Sequence, residues 1–139
     1  MAALLPRSEP VAASASSRFL VLCGVLAVVP GMIHVFLPDG GAGVIAGIDL
    51  SRDAGRTVSM FAWAGATQIA WGGMMLAIGL FHRALVPLAL VLLLLEKTLH
   101  ALSFWVLKPG DHHPPESYAV LVAVPVIALF LALALRRRG

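Results

Sequence analysis

Four apolar runs, at about 18–37, 57–80, 84–107 and 118–135, take up most of this 139-residue chain. Each is near the roughly 20 residues that a helix needs to cross the hydrocarbon core of a bilayer. Lipid offers no water to backbone N–H and C=O groups, so a run of this length must satisfy them internally, as a helix. Only Phe81-His82-Arg83 separates the second run from the third, which forces an antiparallel hairpin. The spacing predicts an all-α fold, an integral membrane four-helix bundle of antiparallel up-down topology. Residues 1–17 read as a disordered N-terminal tail and 18–139 as the transmembrane domain.

Composition agrees. The chain is 60% hydrophobic and 12% charged, with mean hydropathy +0.93, whereas soluble domains are about 25% charged. A net charge of +3 would suit nucleic acid, but Arg136, Arg137 and Arg138 directly follow an apolar run. Cations so placed anchor a helix against anionic headgroups. The partner implied is the lipid bilayer, and nucleic acid is not expected. Cys23 is the single cysteine, so neither an intrachain disulfide nor a cysteine zinc cage can form. The first run is long for a signal peptide and lacks a small-residue exit, and reads as a retained helix.

Basic residues in the flanks set an orientation. Arg7, Arg18, Arg83, Arg136, Arg137 and Arg138 lie on one side, against Arg52, Arg56 and Lys108 on the other. Both termini are therefore expected in the cytoplasm of a multi-pass protein of the inner (plasma) membrane. The loops at 38–56 and 108–117 then face outward.

Small residues mark the faces that should pack. Gly65, Gly72 and Gly79 recur every seven residues in the second run, and Gln68 shares their stripe. In the first run Gly24, Ala27 and Gly31 line one stripe that His34 continues, and Pro30 predicts a kink. Pro38-Asp39-Gly40-Gly41 is a helix stop and turn, after which Val44–Ile48 reads as a short interfacial helix.

Three of these features together resemble the small bacterial four-helix inner-membrane proteins that include DoxX-like proteins and uncharacterised relatives. They are the Pro-Asp-Gly break after the first helix, the glycine-rich stretch from Ala64-Gly65-Ala66-Thr67-Gln68 to Gly72-Gly73, and the polar end of the third helix before Lys108-Pro109-Gly110-Asp111. The likeness spans residues 18–135 and implies a fold without an activity. The Glu96-Lys97 pair is not part of it.

That pair belongs to the sharpest chemical feature, Glu96-Lys97-Thr98-Leu99-His100 within the third run. An ionisable group at bilayer depth costs about 2.5–3.5 kcal/mol on insertion scales, so these side chains require partners. Glu96 and His100 are four apart and share a face that Ser103 extends. Lys97 points elsewhere, to another helix or outward along its stem. At about 1.5 Å per residue, Glu96 lies about 18 Å from the inner edge and His34 about 24 Å. Gln68 lies about 16 Å below the outer surface. The polar groups thus fall in the outer half, and an outward-opening pocket is expected.

A carboxyl and an imidazole one turn apart can exchange a proton near neutral pH. Glu96, His100 and Lys97 are the candidate catalytic residues. His34, Gln68, Thr67, Trp63, Trp71 and Ser103 are candidate ligand-binding residues, and Asp111, His112 and His113 are weak candidates for a metal. The chemistry expected is binding, with acid–base transformation (isomerase, cyclase or hydrolase type), of a small hydrophobic molecule. No phosphate loop or nucleotide fingerprint occurs, so no soluble cofactor is implied. Three alternatives stay open: a proton or cation relay, which four helices could serve only as a homo-oligomer; a b-type haem or quinone subunit using His34 and His100; and an accessory protein whose polar core serves packing.

Overall fold

The computed structural model describes residues 14–110 and 113–136. Residues 1–13 of the expected tail, the candidates Asp111 and His112, and residues 137–139 lie outside the described residues. Four long helices follow in order: α1 (Ala15–Phe36), α2 (Ala54–Phe81), α3 (Val86–Leu102) and α4 (Pro115–Arg136). A 3₁₀ turn at Arg83–Leu85 joins α2 to α3, and a π-helical turn at Ser103–Leu107 prolongs α3. All four spans are long and apolar enough to cross a membrane, which points to a multi-pass membrane protein.

Local chemistry explains the helix ends. Ser14 and Ser17 form a reciprocal capping box, each side chain accepting the other's backbone N–H at 3.1 and 3.0 Å. This starts α1 three residues earlier than hydropathy indicates. Pro115 opens α4, where its missing N–H costs nothing. Glu116 then lies in the first turn, where a carboxylate complements the helix dipole.

The stretch after α1 corrects one expectation. Val44–Ile48 is not a helix but part of a chain of turns. The Asp39 carboxylate accepts backbone N–H groups from Gly41, Gly43 and Val44 at 2.9, 3.2 and 3.0 Å. These bonds, that of Val44 foremost, hold its carboxyl below the usual range. Gly40, Gly41 and, inside the expected helix, Gly47 adopt φ of +61°, +74° and +68°, which a side chain would resist. A helix cannot propagate through that geometry.

α1 and α2 pack closely and antiparallel. A Cβ built on Gly24 would stand 2.9 Å from the Gly72 carbonyl oxygen, and one on Gly72 2.8 Å from that of Gly24. Gly31 and Gly65 face each other in the same way, at 2.8 and 2.7 Å. A Cβ built on Gly79 would stand 3.0 Å from the Ser17 carbonyl oxygen. Ser17, Gly24 and Gly31 thus meet Gly79, Gly72 and Gly65, two seven-residue stripes running in opposite directions. The backbones approach because none of the five glycines carries a side chain.

α3 packs chiefly on α4, and the two helix pairs close at one end. There the Ser16 hydroxyl donates to the Phe130 carbonyl at 2.8 Å, and the Phe19 and Phe130 rings stack at 4.0 Å. The core occupies the same half of the bundle: Leu20 from α1, Met75 and Ile78 from α2, Val86 to Leu93 from α3, and Ile127 and Ala134 from α4. Leu26, Val122 and Leu129 face outward as an apolar jacket suited to lipid. One end of the bundle therefore carries Arg18, Arg83 and Arg136 beside the apolar core, and the other carries the two longer loops.

Candidate functional site

The polar residues of α3 lie in the half away from the core. Val86–Leu93 is buried every three or four residues, and that apolar face ends just before Glu96. The Glu96 carboxylate accepts from Lys97 Nζ at 3.1 Å. Lys97 thus pairs with its sequence neighbour, which departs from both placements expected for it.

His100 lies one turn further along. Its Nδ1 is 3.8 Å from Glu96 Oε1 and 3.9 Å from Glu116 Oε1 on α4. Both distances exceed a direct hydrogen bond and lie within ion-pair range. Glu96 Oε2 and His100 Nδ1 are buried without a hydrogen-bond partner. Buried polar atoms are nearly always satisfied, so orphans of this kind mark a place where something else can bind. Side-chain exposure rises along the file, from 31% at Glu96 to 42% at His100 and 46% at Glu116.

Glu116 is the residue that hydropathy leaves in a loop, and the structure sets it beside His100. The signal was local: Pro115-Glu116 is a helix start, and a short connection after α3 returns that start to the end of α3. An aromatic clamp completes the placement. The Trp105 indole N–H donates to the Ser117 carbonyl at 2.9 Å. Its ring stacks on His113 at 4.4 Å and meets Tyr118 edge-on at 5.4 Å. The π-helical turn carries Trp105 into this clamp, and such turns recur at functional sites.

The other candidates are scattered. His34 Nδ1 donates to the Gly40 carbonyl at 2.6 Å, and its ring packs edge-on against Phe61. It closes the turn after α1 and makes no bond to Glu96 or His100. Gln68 lies on the glycine face against Gly31, with its buried Oε1 unbonded. Trp71 packs against the core with its indole N–H unbonded. Trp63 is 75% exposed on the outer surface. Thr67 lies on the same surface, and its hydroxyl donates to the Trp63 carbonyl at 3.2 Å. Ser103 is exposed, and its carbonyl accepts from Lys108 N–H. His113 belongs to the aromatic clamp, and no group of three or more metal-ligating side chains occurs among the described residues.

Glu96, Lys97, His100 and Glu116 can therefore hold a charge or pass a proton between two carboxyls through one imidazole. Comparison with protein-family models, curated proteins and solved structures finds no match to this chain.

Proposed function

We propose that this protein binds a small hydrophobic molecule at the Glu96–His100–Glu116 file and transforms it by acid–base chemistry. The observation that carries the reading is His100 Nδ1, buried, unbonded and equidistant from two carboxylates on different helices. Glu116, the most exposed of the three, exchanges protons with water beyond the membrane. His100 passes them to Glu96, which acts on the guest. Lys97 stabilises the negative charge that develops. In this reading the basic end is cytoplasmic and the guest arrives sideways from lipid. Isomerisation, cyclisation and hydrolysis fit a site that moves protons.

The test compares lipid extracts of membranes containing the wild-type protein, Glu96→Gln or His100→Asn. The wild type is expected to convert a lipophilic species to a product of equal mass, or to products whose masses together equal the substrate plus one water. Both variants should lose this conversion while remaining folded and helical by circular dichroism. Identical extracts from all three would refute the reading.

The file also supports proton relay as a second reading, because exposure rises stepwise from Glu96 to Glu116. That reading expects proton flux in liposomes that Glu116→Gln slows.

A further inference from the structure

The turns that follow α1 satisfy their own backbone in a way that a loop in water need not. Gly41, Gly43 and Val44 donate their N–H groups to the Asp39 carboxylate. Gly40 donates to the Leu37 carbonyl, Ala42 to that of Asp39, and Ile45 and Ala46 both to that of Gly41. Gly47 donates to Gly43 and Ile48 to Ala42, so every N–H from Gly40 to Ile48 is bonded within the protein. Irregular backbone can approach hydrocarbon only where its polar groups are satisfied without water. We propose that this segment is a membrane anchor, which sets Val44 and Ile45 among the lipid chains at the edge of the bilayer. It is independent of the acid–base file and of the function proposed there.

The side chains fit that placement. From Pro38 to Ile48 the single charged residue is Asp39, and its carboxylate is turned to the three N–H groups. Val44 is 83% exposed and Ile45 51%, although Ala42 between them and Asp39 is fully buried. The turn therefore has a packed interior and still projects two branched apolar side chains outward.

Their level along the bundle indicates lipid as the occupant. A Cβ built on Gly41 would stand 3.2 Å from both Ile45 Cδ1 and Ile33 Cγ2, so Ile45 lies beside the last turns of α1. Phe36 and Leu37, at the end of that helix, are exposed and apolar, and Ile45 and Val44 continue the lipid-facing jacket. A Cβ on Gly40 would stand 3.1 Å from Phe61 Cβ and 3.7 Å from the Val58 carbonyl oxygen of α2. Those residues lie about 6–10 Å along α2 from its start at Ala54. The exposed pair Asp53 and Arg56 marks the wetter end of α2, and the turn sits deeper than this pair. Apolar anchors of interfacial segments reach about 5–10 Å into the boundary between headgroups and chains.

Paramagnetic relaxation in NMR of the full wild-type chain in phosphatidylcholine bicelles tests this. Phosphatidylcholine with a nitroxide at the upper acyl chain should broaden the Val44 and Ile45 methyl signals severalfold more than a water-soluble gadolinium chelate does. The Arg52 amide should show the reverse order. Val44→Asp, at an exposed position, should cut the lipid broadening at Ile45 severalfold. Stronger broadening of Val44 and Ile45 by the chelate would place the turn in water and overturn the proposal. Protection from both agents would place it beneath protein, such as a second copy of this chain, and overturn it equally. Undiminished lipid broadening at Ile45 in Val44→Asp would overturn the assignment of Val44 as an anchor.

Discussion

Replacing Gly72 by alanine should loosen α1 from α2, while the same change at Gly73 should not. A Cβ at position 72 would stand 2.7 Å from Val28 Cγ2, 2.8 Å from the Gly24 carbonyl oxygen and 3.0 Å from the Val28 nitrogen. Ordinary contact begins at 3.4 Å, and two of these three atoms are backbone, so no rotamer change relieves the clash. The helices must separate locally by about 0.6 Å, and a gap of that size forfeits about a quarter of the dispersion attraction along the seam. Overpacking of this kind costs about 1–3 kcal/mol. The helix propensity gained on replacing glycine returns at most about 1 kcal/mol. A Cβ at position 73 meets nothing within 4 Å, so Gly73→Ala keeps only the gain. Neighbouring, chemically identical substitutions should therefore move stability in opposite directions, with a gap of about 1–3 kcal/mol. Equilibrium unfolding in mixed micelles, read by circular dichroism, measures both. Equal midpoints for Gly72→Ala and Gly73→Ala would show that the glycine seam does not set the approach of the helices.

Lys97→Met should destabilise the fold more than Glu96→Gln/Lys97→Met, because it strands a half-buried carboxylate. A double-mutant cycle in the same micelles should give a coupling of about 0.5–3 kcal/mol, and additivity would refute the pairing. Ser16→Ala removes the hydroxyl that ties α1 to Phe130 of α4 and should cost about 0.5–1.5 kcal/mol by chemical denaturation. Asp39 has a depressed folded-state pKa, so its contribution is complete above the ordinary aspartate range and is lost as pH falls through the depressed value. Amide exchange at Gly41, Gly43 and Val44 should accelerate over that acid range in the wild type and be fast throughout in Asp39→Ala.

Much of the architecture was legible because lipid removes alternatives. Apolar length identifies four helices, and the seven-residue recurrence of Gly65, Gly72 and Gly79 identifies a packing face. Its partner stripe was legible only in part. Gly24 and Gly31 stand out, whereas Ser17 joins them only once the two chains are set antiparallel. The polar file divides similarly. Glu96 and His100 follow from helical periodicity, but Glu116 depends on how the π-helical turn and the aromatic clamp return α4 to α3. His34 is held by a turn that periodicity does not reveal. Its stripe leads toward the bundle, yet the left-handed glycines after α1 bring the Gly40 carbonyl back to its ring. Lys97 pairs with the residue beside it, a choice made by side-chain torsions that residue spacing does not encode.

The opposed seven-residue stripes of α1 and α2 also limit how this molecule can move. If one helix slid past the other by a single turn, a bulky side chain such as Val28 or Leu76 would have to take a place now held by glycine. The next alignment that returns glycine to glycine is seven residues away, about 10 Å of travel, and it would leave one of the three pairings unmade. Shear between these two helices is therefore blocked in steps of ordinary size, and α1 with α2 behaves as a single rigid plank. Any working stroke falls to α3 and α4, the helices that carry Glu96, His100 and Glu116.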